Sequence, residues 1–247
     1  DNTVDNTPMT THHRPKRTPR KKTPTVVHVL AAVNHGGPER VVLGLCLGIP
    51  ATEARQVVVH MDLRDGPLAA RFRAAGVDVH NCPLRPLPSF VPRLFRRLRM
   101  IRPDVVVAHL GFRAGPVLVA AAAAGVRVRV ARMNSEGDRW PDTPRRRLQR
   151  RALRALLHAT ATDVVGVTSG ALAQAGPHDG DARFRVLPNG VDVDRFAGTR
   201  TPRTDHGNPP RIIHIGRAAP EKNRAFLLDI HAAAKTIHPG TTLTCLG

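Results

Sequence analysis

The chain has 247 residues, 41% of them hydrophobic, which is enough to bury a core in one large or two modest domains and excludes a disordered protein. Its formal net charge is +19, from 38 Lys and Arg against 19 Asp and Glu, so anionic partners are expected: phosphates, nucleic acid or acidic lipid surfaces. Aromatic residues are only 3%, poor material for the stacking platforms of single-strand binders, and nucleic acid is therefore the least favoured of the three.

Cys46, Cys82 and Cys245 are widely spaced and form no Cys-x-x-Cys or Cys/His set, which predicts reduced thiols in the cytoplasm and no structural zinc. No apolar run reaches the ~20 residues of a spanning helix, and the amino terminus has no apolar signal core. Only five of the 38 cations are Lys, and Ala, Gly and Pro are abundant, so part of the Arg excess reflects a G+C-rich coding bias.

Residues 1–24 mix Asn, Thr and Pro with a basic cluster and have no period that could pack, so they read as a disordered basic tail. The tail carries +4 and leaves +15 in the body. From Thr25 short β-branched runs alternate with helical stretches. Strands are predicted at 26–30, 56–60, 77–80, 104–108, 126–130 and 163–167. Strict alternation predicts an α/β fold, a doubly wound, Rossmann-like parallel sheet covered on both faces. In such sheets ligands sit beyond the carboxyl ends of the strands.

The first of those ends reads Ala32-Val-Asn-His-Gly-Gly-Pro-Glu-Arg40, with Pro38 opening a helix. Gly36 and Gly37 would let a backbone approach a ligand, or simply make a tight turn. The stretch is not a GxGxxG fingerprint and no well-placed acid follows the second strand, since Asp62 and Asp65 also fit turn chemistry, so NAD is set aside. Arg85–Arg102 holds six Arg and no acid, with Phe90, Leu94, Leu98 and Ile101 at helical spacing, and Arg145–Arg154 holds six more. Each is either a sheet-covering helix with a charged outer face or a helix that lies on anionic lipid.

His109 stands at the fourth strand end, where a histidine can face the cleft rather than the core. After the fifth strand comes Arg132-Met-Asn-Ser-Glu-Gly-Asp-Arg-Trp140 on the same edge. Asn34, His35, Arg132, Asn134, Ser135 and Asn189 are the polar candidates for the cleft and the acceptor. Residues 197–210 read as a linker, so residues 25–196 form the first domain. A second α/β unit then starts at Arg211: Ile212–Ile215 read as a buried parallel strand, Gly216 breaks it, and Arg217 and Lys222 flank a loop that opens into a helix. That loop is either an anion cradle for a diphosphate or an ordinary connection with two solvated cations.

Taken in order, Gly36-Gly-Pro-Glu-Arg40, Leu187-Pro-Asn-Gly-Val-Asp-Val-Asp-Arg-Phe196 and Ile215-Gly-Arg-Ala-Ala-Pro-Glu-Lys-Asn223 resemble the marks of the GT-B glycosyltransferases of family 4, retaining enzymes that use nucleotide sugars. The resemblance covers almost everything from Val26 to Gly247. It implies a first, acceptor-side domain and the opening of a nucleotide-sugar-binding domain over 211–247. Arg217 and Lys222 would bind the donor diphosphate and stabilise the leaving nucleotide, with no metal or other cofactor. Gly36 and Gly37 would approach the donor, and His109 would be a catalytic cleft residue.

The expected function is transfer of a sugar from a UDP- or GDP-sugar to a polysaccharide, lipid-linked or small-molecule acceptor in bacterial polysaccharide synthesis. The expected location is the cytoplasm or the inner face of the membrane, reached through Arg85–Arg102. Two departures accompany this. Many relatives have a histidine where Arg132-Met-Asn-Ser135 stands, and 37 residues from Arg211 are short for a whole domain, which with Asp1 in place of Met predicts a partial, carboxyl-terminally truncated sequence. The alternatives are a non-catalytic remnant and a basic module that binds membrane or nucleic acid without chemistry.

Overall fold

A computed structural model describes residues 23–137, 141–197, 209–216 and 218–247. Residues 1–22 of the basic tail, most of the expected linker and Arg217 lie outside the described residues. The chain divides into two compact units, one ending at Gly190 and the other beginning at Val191.

In chain order the first unit runs β1 (Thr25–Leu30), α1 (Gly37–Gly48), β2 (Arg55–His60), α2 (Ala69–Ala74), β3 (Asp78–Asn81), α3 (Leu87–Ile101), β4 (Val105–Ala108), a 3-10 turn (Gly111–Ala114), α4 (Gly115–Ala123), β5 (Val128–Met133), α5 (Pro144–Thr160), β6 (Asp163–Gly166), α6 (Ser169–Ala173) and β7 (Phe184–Val186). The strands are all parallel and lie in the order β3-β2-β1-β4-β5-β6-β7. The chain starts at the centre, winds outward to one side and returns to wind to the other, so the strand order reverses between β1 and β4.

The central strands are Val-rich because both faces of a parallel sheet must be covered. On one face Phe90, Leu94 and Leu98 of α3, Leu118 of α4 and Leu157 of α5 pack against Val27, Val29, Val57, Val59, Val106 and Val164. On the other, Val42, Leu43 and Cys46 of α1 and Phe72 of α2 pack against Leu30 and Val58. The apolar stripe of α3 is thus spent on the core, and its Arg96 and Arg99, with Arg102 just past its end, face outward.

Four details depart from the sequence expectations. β5 begins at Val128 and runs to Met133, so Arg132 lies inside the strand and not after it. Gly125, at φ +80°, closes α4, and the Val126 N–H donates back to Ala121 O, which takes Val126 out of the strand. β7 was not expected, because its three residues offer no run to recognise. α5 is longer than its arginine cluster: it starts behind Thr143, whose hydroxyl accepts from the Arg146 N–H, and ends at Thr160.

The second unit holds α7 (Asp194–Ala197), β8 (Arg211–Ile215), a 3-10 turn (Pro220–Lys222), α8 (Arg224–Ile237) and β9 (Thr242–Leu246), with β8 and β9 parallel. The expectation of a buried β8 is overturned: Ile213 is 60% and Ile215 75% exposed, while Ile212 and His214 are half-buried. The alternation has a simple cause. Among the described residues a two-stranded sheet and one helix cover a single face.

Candidate functional site

The carboxyl edge of the first sheet is where the polar residues collect. The register shows how. Val26 pairs with Gln56 across β1 and β2, His28 pairs with Val107 across β1 and β4, and Ala108 pairs with Ala131 across β4 and β5. Side chains alternate along a strand, so Gln56, His28, Arg132 and the residue after β4, His109, all share one face. They form a diagonal polar row across Val-rich strands, from near the start of β2 to the end of β5.

Hydrogen bonds join this row. His28 Nε2 meets Gln56 Oε1 at 2.9 Å, and His28 Nδ1 meets His109 Nε2 at 3.1 Å. An amide oxygen only accepts, so His28 carries its proton on Nε2 and accepts at Nδ1, which makes His109 Nε2 a donor. The lone pair of His109 is then on Nδ1, a buried atom with no partner among the described residues. Burial lowers the pKa of His28, with the Arg132 charge adding to the effect. His109 is pushed well below the ordinary histidine value, first by burial and then by His28 and Arg132. Both rings are neutral at physiological pH. The expectation that His109 faces an open cleft is corrected in one respect: its side of the strand end is 6% exposed, because Asn134 closes over it and donates from Nδ2 to His109 O at 3.3 Å.

Arg132 ends the row and is 9% exposed. Its Nη2 donates to Asn189 Oδ1 at 2.7 Å and more weakly to Leu187 O at 3.4 Å, which ties β5 to the segment after β7. Burial lowers its pKa, yet a guanidinium remains charged. Asn189, expected at the cleft from sequence, is therefore brought to Arg132. Ser135 is exposed and donates to Gly137 O, apart from the row.

At the end of β1, Asn34 and His35 are exposed and form no hydrogen bond with the row. Asn34 is set by the next loop: a Cβ on Gly66 would lie 2.4 Å from Asn34 Oδ1 and 2.6 Å from Val33 O. That loop is held by His60, which meets Asp65 Oδ1 at 3.0 Å, and by Arg73 on the other oxygen; the two keep the Asp65 carboxyl below its usual range. Asp65 thus serves the turn. The expectation that Gly36 and Gly37 open backbone to a ligand meets an obstacle. The Gly36 N–H donates to Asn34 O, and the Glu39 carboxylate lies so close that a Cβ on Gly36 would collide with it. Gly37 has open space around it. A cavity of about 310 Å³ between Leu98, Arg102, Pro103 and Gly125 lies at the opposite, amino edge of the sheet and belongs to no part of this site.

In the second unit Lys222 is exposed, and its Cδ and Cε lie 3.6 Å from where a Cβ on Gly216 would be. The next residue, Asn223, caps α8 by accepting from the Phe226 N–H. Arg224 donates from Nη2 to Gly216 O at 2.6 Å and to Gly247 O at 3.1 Å, which clamps the carboxyl ends of β8 and β9. Arg217 lies outside the described residues.

Sequence reading missed His28, Gln56 and Arg224. For the first two a signal existed: a histidine and a glutamine inside Val-rich runs of central strands are buried polar groups that need partners.

A doubly wound parallel sheet with its polar groups gathered at the carboxyl edge, followed by a second α/β unit, is the arrangement of the GT-B glycosyltransferases. Residues 36–190 match the family described as Glycosyl transferase 4-like domain, and the chain belongs to that family. EpsF of Bacillus subtilis (strain 168), a protein named as a glycosyltransferase, is 29% identical over 230 residues, covering 85% of this chain and 58% of EpsF. Among solved structures, Anabaena Alr3699/HepE in complex with UDP superposes with a TM-score of 0.67 at 18% identity, over 90% of this chain and 61% of HepE. The lipopolysaccharide outer core galactosyltransferase WaaB superposes with a TM-score of 0.57 at 11% identity, over 90% of this chain and 68% of WaaB. The chain thus spans about three fifths of the length of EpsF and HepE, and at these identities the structures speak for the fold alone.

Proposed function

We propose that the chain is part of a retaining glycosyltransferase that moves a sugar from a UDP- or GDP-sugar to a polysaccharide, lipid-linked or small-molecule acceptor. The family match over 36–190 carries this reading. The UDP in the HepE complex supports a nucleotide donor, and EpsF and WaaB are both named as transferases.

In this mechanism negative charge builds on the departing nucleoside diphosphate while the sugar becomes oxocarbenium-like. Arg217 and Lys222 supply fixed positive charge to that diphosphate, so no divalent metal is required. The acceptor docks against the carboxyl edge of the first unit, where neutral His109, Arg132, Asn134 and Asn189 are its contacts, with Asn34, His35 and Ser135 at the rim. Gly37 remains a place for close backbone approach, and a phosphate against Gly36 would have to displace the Glu39 carboxylate.

No helix among the described residues is long and apolar enough to cross a membrane. The enzyme works at the cytoplasmic face of a bilayer, held there by the outward arginines of α3. With the apolar stripe of that helix committed to the core, the attraction is electrostatic.

Calorimetric titration of the full chain with UDP and GDP tests the donor assignment. Binding is expected to weaken by about tenfold in each of Arg217→Ala and Lys222→Ala, the loss of one charge-assisted contact. Equal affinity in both variants would remove those residues from the donor site. The anomeric configuration of the product, read by NMR, tests retention.

A further inference from the structure

Arg132 poses an electrostatic question that the fold does not answer. Its side chain is nine-tenths buried, yet no carboxylate pairs with it among the described residues. The partners it has, an amide oxygen and a backbone carbonyl, are neutral. Its Nε is buried with no partner among the described residues. A buried cation that lacks a counter-charge is costly to keep, and the usual remedies are an ion pair or a bound anion.

The neighbours sharpen this. Continuing the β4–β5 register by one residue places His109 beside Arg132 on the same face. The second unpartnered buried atom of the region is His109 Nδ1, which by the tautomer chain from Gln56 through His28 is a hydrogen-bond acceptor and not a donor. Two orphan polar atoms of opposite type therefore lie on adjacent strands at the edge where ligands enter. One asks for an anionic oxygen and the other for a hydroxyl. Among carbohydrate ligands, a sugar with a carboxylate or phosphate beside a free hydroxyl meets both.

We propose that Arg132 is an anion anchor that binds the carboxylate or phosphate group of an acidic sugar, with His109 Nδ1 accepting from a neighbouring hydroxyl. The oxyanion accepts from the Arg132 guanidinium in the charge-assisted way that suits a planar fork. Asn189 holds that fork through Nη2 and acts as a positioning residue. That the sugar is the acceptor of the transfer rests on the function proposed above; that it is anionic rests on the site itself. The selection would be for charge, since a neutral sugar leaves the guanidinium without a counter-ion.

The test follows the Arg132 side-chain Nε–H resonance in the full chain by NMR, assigned by its absence in Arg132→Lys. The probes are methyl glucuronide, glucose 6-phosphate and neutral methyl glucoside. The resonance is expected to shift with saturation for at least one anionic sugar and to stay unmoved for the glucoside. A response to glucuronide alone identifies a uronate source, and a response to the phosphate alone identifies a phosphorylated one. Affinity is expected to drop more than tenfold in Arg132→Gln and to recover in part in Arg132→Lys, an order that a purely structural arginine would not produce. In His109→Asn, with Arg132 intact, anionic sugars are expected to bind more weakly and inorganic phosphate equally well. No shift with either anionic sugar, or an equal shift with the glucoside, overturns the proposal. If anionic sugars bind but UDP and GDP do not, the anchor stands and the transferase reading fails; if nucleotide binds and the anionic sugars do not, the reverse holds.

Discussion

His109 donates from Nε2 to Nδ1 of His28 at 3.1 Å, a bond that crosses from the end of β4 to the middle of β1 inside the sheet. Buried histidine pairs are stable only while one ring donates and the other accepts. Protonation of either ring puts a charge where burial and Arg132 both oppose it.

Stability should therefore fall in mild acid. The folded values of both rings lie below the ordinary 6.5, so under that pH the unfolded chain takes up protons that the folded chain refuses. The contribution is fully present above about pH 6.5 and is lost as the pH falls toward the folded values, at up to about 1.4 kcal/mol per pH unit for each ring. Urea midpoints at pH 7.5, 6 and 5 should decline, and more steeply than in a His28→Gln, His109→Gln double variant. Parallel declines in the two proteins would show that the pair is not responsible.

Gly66→Ala should disturb the edge beside Asn34. The added Cβ meets Val33 O at 2.6 Å, and that carbonyl cannot move freely because it also accepts from the Leu68 N–H. A cost of about 1–3 kcal/mol is expected from such overpacking. Gly44 is the contrast: it is exposed in α1 with nothing near its missing Cβ, so Gly44→Ala should gain about 0.5–1 kcal/mol. Thermal midpoints that move in the same direction for both would contradict the geometry.

The outer face of α3 should bind anionic vesicles without help from its apolar stripe. Arg96 and Arg99 are exposed, whereas Arg93 and Arg97 hydrogen-bond to the Pro83 and Asn81 carbonyls. Each of Arg96→Gln and Arg99→Gln should weaken co-sedimentation with phosphatidylserine vesicles by about 1 kcal/mol, close to fivefold. Raising the salt should weaken it further, and neutral vesicles should not sediment the chain. Leu94→Ala on the buried side should instead cost about 2–5 kcal/mol of stability.

Arg224→Ala should loosen the second unit. The guanidinium joins Gly216 O to Gly247 O, and no other side chain among the described residues bonds to either. A loss of about 0.5–1.5 kcal/mol in local stability is expected, the net worth of an ordinary hydrogen bond, since the Gly216 carbonyl is half-buried and the Gly247 carbonyl exposed. Amide exchange at Gly216, which bonds to Leu246 O, should speed up while exchange in β1 is unchanged.

Much of the fold was legible because parallel sheets write themselves into a sequence as Val-rich runs between helical patterns. Six strands of the first unit were found that way, and α3 announced itself through Phe90, Leu94 and Leu98. β7 was invisible because three residues carry no period, and the start of β5 was misread because Val126 is as apolar as a strand residue while serving a helix end. The sequence pointed to the strand ends as the place of a candidate site, and the structure sets His109, Arg132, Asn134 and Asn189, all named from it, beside one another there.

The sequence by itself determined the alternation of strands and helices, the excess of positive charge and the edge at which polar residues gather, because these depend on local pattern and composition. Only the tertiary structure decided which of those residues meet. The register of β2, β1, β4 and β5 brings Gln56, His28, His109 and Arg132, residues spread from position 28 to position 132, onto one face. The same packing leaves Arg132 with no carboxylate partner among the described residues, and charge balance in a buried place is a property of neighbours that no stretch of chain records.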